Sequence, residues 1–124
     1  MKSIVTGLTA IVLFATAVAS ASFPPSGRYS GTTSQQLAVT WAVHGHELLD
    51  FRIVANDSCG QRAPISVHRI PIRSDGRFHA SLAVSNVARM SVTGRFSARS
   101  ARGTFSSTQD KCEIGPITFR ARRR

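Results

Sequence analysis

Downstream of residue 36 the chain alternates apolar and polar side chains with a period of two, the pattern of strands that bury one face. In QLAVTWAV, Leu37, Val39, Trp41 and Val43 share a face, with Ala38, Thr40 and Ala42 on the other. In LLDFRIVA the inward set is Leu49, Phe51, Ile53 and Ala55. Both sets are odd-numbered, so parity asks for an odd connection. A three-residue turn His44-Gly45-His46 pairs Trp41 with Leu49 and Val39 with Phe51, and puts Gly45 where a positive φ is needed. The same arithmetic sets Ile70 and Ile72 inward with Phe78, Ala80 and Leu82 across a Ser74-Asp75-Gly76 turn. Pro71 marks the first of these runs as an edge or bulged strand.

The longest inward series is Ala88, Met90, Val92, Gly94, Phe96 and Ala98. The parity then flips to Gly103 and Phe105, which requires an even loop. Four residues, Arg99 to Arg102, place Phe96 opposite Phe105. The last strand turns Ile117, Phe119 and Ala121 inward and Thr118, Arg120 and Arg122 outward. Residues 55–64 and 108–116 read as two irregular loops. Together these segments predict an all-β domain, an antiparallel β-sandwich or partly closed barrel of about eight short strands.

The start of the chain is of another kind. Lys2, an apolar run from Ile4 to Ala19 and the small residues Ala19-Ser20-Ala21 form a signal peptide over residues 1–21. The run is too short for a retained anchor, and no span is expected after cleavage. The exported product is then a domain over residues 22–120 with a basic tail at 121–124, destined for a periplasm, a cell wall or the medium. A domain of this size buries a modest core, and export makes a Cys59–Cys112 disulfide the expected staple.

Loss of Lys2 takes the formal charge from +10 to +9, and that charge rests on 14 arginines and Lys111. Gly-Arg-aromatic recurs at 27, 76 and 94; with the aromatic inward, alternation turns Arg28, Arg77 and Arg95 outward. Arg89, Arg99, Arg102 and Arg120 follow by alternation or by lying in turns, and Arg122, Arg123 and Arg124 end the chain. The candidate anion-binding set is therefore Arg28, Arg77, Arg95, Arg120, Arg122, Arg123 and Arg124. Its partner is an anionic polymer or surface. Nucleic acid is disfavoured, because Tyr29, Phe78, Phe96 and Phe105 are claimed by the core and leave no ring to stack on bases.

Candidate chemistry is sparse. His44 and His46 with Glu47 lack a third metal ligand, and no cofactor motif is present. His68 and His79, flanking the 74–76 turn, offer the pair of imidazoles a secreted nuclease or hydrolase would use, but nothing in the pattern brings them into one cleft. Six carboxylates show no glycosidase spacing. Among them Asp50 is expected to pair with Arg52 or another surface arginine, and Asp57, Asp110 and Glu113, which flank the cysteines, to cap loops or pair with Arg62 and Lys111. The expectation is thus a non-enzymatic module adhering to an anionic extracellular or cell-wall surface. The alternatives are a small hydrolase or nuclease, and an inhibitor or protein-binding module presenting loop 55–64.

The order Gly27-x-Tyr29-x-Gly31-x-Thr33-Ser34-Gln35, Cys59, Ile70-Pro71-Ile72, Gly76-x-Phe78, Val92-x-Gly94-x-Phe96, Gly103-Thr104-Phe105, Cys112 and Thr118-Phe119-x-Ala121 resembles a group of small secreted bacterial all-β proteins of uncharacterised function. The resemblance implies an all-β fold with a disulfide and carries over no catalytic residue. The arginine load and the RARRR terminus depart from it.

Overall fold

The computed structural model describes residues 24–85 and 88–124; the signal-peptide expectation falls outside them. Eight strands follow one another: β1 (Gly27–Thr33), β2 (Ala38–His44), β3 (Glu47–Asn56), β4 (Arg62–Pro71), β5 (Arg77–Ser85), β6 (Ala88–Ser97), β7 (Ser100–Gln109) and β8 (Cys112–Arg123). All pairings are antiparallel, and the sheet order is β4-β3-β2-β1-β8-β7-β6-β5. Pairing of β1 with β8 joins the chain's two ends, so the meander curls into a nearly closed barrel. Its seam lies between β4 and β5, which meet through the 73–76 turn and the bridge Ile72↔Phe78. Pro64 and Pro71 each remove a backbone donor from β4, which an edge strand tolerates.

The barrel closes around Trp41, 1% exposed. Tyr29 and Phe51 stack on its two faces with centroids at 5.7 and 5.8 Å, and Phe96 and Phe119 meet it edge-on at 6.0 and 5.9 Å. Its Nε1–H finds no oxygen or nitrogen partner inside this shell of rings. So narrow a barrel needs glycine beneath its aromatics. Phe78 lies over its cross-strand partner Gly94, where a Cβ would stand 2.8 Å from Cε1 and closer still to Cζ. Phe119 covers Gly103 in the same way.

The predicted faces hold except at Leu49 and Leu82, and several turns differ. The β2–β3 connection is the two-residue Gly45-His46, with His44 opposite Glu47, not the three-residue turn. A bulge supplies the missing residue: pairing steps from Thr40↔Arg52 to Ala42↔Leu49, and Asp50 sits at φ 52. The extra residue reverses parity, so Leu48 is buried where Leu49 was expected. The β6–β7 loop is Ala98-Arg99, not Arg99 to Arg102; Phe96 faces Ala101, and Val92 faces Phe105. Two and four residues satisfy the same parity, and Ala98 at φ 57 makes the tighter turn. Segment 108–116 is a hairpin with a two-residue Asp110-Lys111 turn and a bulge around Gly115-Pro116. The expected tail begins inside β8, which runs to Arg123. The Ser74-Asp75-Gly76 turn forms as expected, with Gly76 at φ 87. Leu82, expected inward, is 43% exposed beside the seam.

The expected disulfide is present: Cys59 and Cys112 are joined across 5.4 Å between Cα atoms. It ties the β3–β4 loop to the start of β8, across the positions of β2 and β1 in the sheet. Ser58 reinforces the tie. Its N–H donates to the Glu113 carbonyl at 2.7 Å, and its Oγ accepts from the Glu113 N–H at 2.8 Å.

Candidate anion-binding face

Register decides what the outward arginines become. Arg77 pairs with Arg95, Arg95 with Arg102, and Arg102 with Arg120, so four arginines stand side by side across β5, β6, β7 and β8. Thr32 of β1 continues the row. At the ordinary strand spacing the four span about 14 Å, perpendicular to the strands. All four are exposed. On one side, His79, Thr93, Thr104 and Thr118 form a parallel row in the same register. There the Thr93 and Thr104 hydroxyls hydrogen-bond at 2.9 Å. On the other side run Ser97, Ser100, Arg122 and Ser30. An open groove follows this surface, its lining including Thr32, Arg95, Arg102, Arg120 and Arg122 and one carboxylate, Asp75.

Charge is divided unequally around the barrel. Residues 77–124 carry nine arginines and Lys111 against Asp110 and Glu113, whereas residues 24–76 carry five arginines against Glu47, Asp50, Asp57 and Asp75. The closer carboxylate contacts belong to the β3–β4 side: Glu47 pairs with Arg69 at 3.3 Å, and Asp50 meets the His68 imidazole at 3.5 Å. Asp50 therefore takes a histidine in place of the expected arginine. Within the row, Arg77 has Asp75 at 3.8 Å. Among the described residues, no carboxylate lies within salt-bridge distance of Arg95, Arg102, Arg120 or Arg122. The Asp75 carboxyl is held below its ordinary value, first by the backbone N–H of Arg77.

The seven sequence-selected arginines thus separate. Arg77, Arg95 and Arg120 share the row, with Arg122 one step away. Arg28 and Arg124 lie one step beyond Ser30 and Arg122, at the rim that also carries the Ala98-Arg99 turn, joined by the Arg124 N–H to the Arg28 carbonyl at 2.9 Å. Arg123 locks the lead-in segment: its Nε donates to the Ser26 carbonyl at 2.8 Å and packs against Gly27. Nearby, burial pushes the Tyr29 hydroxyl above its ordinary value while Arg123 and Arg99 pull it down. The member absent from the selected set is Arg102, which links Arg95 to Arg120. Its signal is the symmetry of Arg95 and Arg102 about Ala98-Arg99, legible once the loop length is known.

The other candidate chemistry stays dispersed. His44 and His46 are exposed at the β2–β3 tip, while Glu47 turns to Arg69. His68 and His79 are both exposed. In the register set by Ile72↔Phe78 they sit three residues apart along the strands, about 10 Å. Among the described residues, the one group with three metal-ligating side chains is Asp57, Cys59 and Cys112. Its two sulfurs are bonded to each other, and Asp57 Oδ1 accepts from the N–H groups of Cys59 and Gln61 at 2.9 and 3.0 Å. Asp57 thus caps its loop as expected, and loop 57–61 is braced from both sides. No described helix is long and apolar enough to cross a membrane. Compared with protein-family models, curated proteins and solved structures, the chain shows no match, so the functional reading rests on its own residues.

Proposed function

We propose that this protein is an exported, non-enzymatic β-module that adheres to an anionic extracellular or cell-wall surface through the outer face of β5 to β8. The observation that supports the reading is the register-matched row Arg77, Arg95, Arg102 and Arg120, of which Arg95, Arg102 and Arg120 have no carboxylate partner among the described residues. Like charges placed directly opposite each other on neighbouring strands oppose folding. Folding alone gives no reason for such a row, whereas a polyanion laid along it turns the repulsion into attraction. A solvated face that merely keeps the protein soluble needs net charge but no alignment.

The test separates alignment from charge. Retention of the oxidised protein on an immobilised polyanion is compared for R95Q/R102Q/R120Q and for R52Q/R62Q/R69Q, two variants of equal net charge. The first is expected to elute at markedly lower salt and the second close to wild type. Equal shifts for both would sink the reading.

A further inference from the structure

We infer that the polymer this face is built for is a linear phosphodiester chain with small, non-aromatic linkers, lying across the strands along Arg77, Arg95, Arg102 and Arg120. The inference rests on the proposed adhesive role and narrows it by three features of the surface. First, the cations form a straight row one strand-spacing apart, so a ligand following them is extended and carries its charges at repeated short intervals.

Second, the row is flanked by hydroxyls on both sides, Thr93, Thr104 and Thr118 at about 7 Å and Ser97, Ser100 and Ser30 at about 7 Å the other way. An arginine fork satisfies both oxygens of a planar carboxylate by itself. A tetrahedral phosphodiester sends its oxygens out of one plane, which gives the hydroxyl rows acceptors to reach. The Thr93 and Thr104 hydroxyls, bonded only to each other within the protein, keep spare donor and acceptor capacity for this.

Third, the face offers no phenyl, phenol or indole ring; its one exposed ring is the His79 imidazole at the end of the threonine row. Tyr29, Trp41, Phe51, Phe78, Phe96, Phe105 and Phe119 are all buried. A nucleic acid strand would find a single imidazole at the edge of the face and no run of rings on which to stack successive bases, and a sulfated sugar polymer no broad aromatic platform. A chain of phosphates joined by short polyol linkers needs neither.

Binding of the exported, disulfide-bonded protein to poly(glycerol phosphate) is measured by anisotropy across a sodium chloride series. Oligothymidylate, a heparin fragment and polyglutamate of matched charge number serve as comparison probes. Poly(glycerol phosphate) is expected to bind tightest, with log K falling against log salt at a slope of about −2 to −3 for three to four neutralised phosphates on a flexible strand. R95Q/R102Q should cut that slope to about half, since two of four contacts are removed. T93V/T104V should weaken poly(glycerol phosphate) several-fold more than polyglutamate, at an unchanged slope. If every polyanion binds alike and depends on the row, adhesion stands and the polymer class falls. Tighter binding of heparin, oligothymidylate or polyglutamate overturns the polymer class as well. Binding that ignores the arginine row overturns both.

Discussion

Replacing Arg102 with glutamine should make the protein more stable and a poorer binder at once. Arg102 faces Arg95 on one neighbouring strand and Arg120 on the other, so the substitution removes two like-charge pairs. With guanidinium groups about 7 Å apart in a water-like dielectric, each pair costs about 0.6 kcal/mol before screening. Two pairs come to about 1 kcal/mol at about 10 mM salt, where the Debye length of about 30 Å leaves them unscreened. For a domain of this size that gain raises Tm by about 4–8 °C. In about 0.5 M salt the screening length falls below the pair separation and the gain should largely vanish. Urea denaturation of wild type and R102Q at the two ionic strengths reads this directly. If R102Q is less stable at low salt, the arginine stem contributes more by covering apolar surface than its charge costs. A gain that persists unchanged in high salt would likewise show that repulsion along the row is not its source.

Removing the staple, as Cys59→Ser with Cys112→Ser, should cost about 4 kcal/mol by the chain-entropy account of a 53-residue separation. A urea midpoint implying a loss below about 1 kcal/mol would mean that the Ser58–Glu113 hydrogen bonds and the Asp57 cap hold the loop unaided. Gly94→Ala drives a methyl into the Phe78 ring and should destabilise by about 1–3 kcal/mol. Gly115→Ala, where a Cβ meets nothing within 4 Å, should be close to neutral, and equal effects would contradict the ring-over-glycine packing. Burial raises the Tyr29 hydroxyl's folded pKa, so its contribution is fully present below the ordinary value of about 10 and is lost as pH climbs through the raised one. Ionisation also removes the donor that Tyr29 offers the Pro25 carbonyl at 2.9 Å. Stability above pH 10 should therefore fall more steeply in wild type than in Tyr29→Phe; matching curves would contradict this.

The inward faces of β2, β6 and β8 were legible because each strand alternates cleanly and each keeps Val, Phe, Ile or Trp on one side. Connections were less so. Parity distinguishes odd loops from even ones but not two residues from four, and a single bulge, as at Asp50, silently exchanges the classes. The site suffered from this same blindness. Arg95 and Arg120 read as outward from alternation alone, yet their alignment through Arg102 depends on the Ala98-Arg99 and Asp110-Lys111 turns and the bulge at Gly115-Pro116. Arg123 misled in the opposite direction: it looks like part of a basic tail and is instead spent holding Ser26 against the barrel rim.

On this reading anionic polymers meet one face of the barrel and not merely its net charge. Chemical-shift mapping of the arginine Nε–H signals during titration with poly(glycerol phosphate) tests it most directly. Arg77, Arg95, Arg102 and Arg120 should shift first and furthest while Arg52, Arg62 and Arg69 on the opposite wall stay in place. Shifts spread evenly over all of these arginines would contradict it.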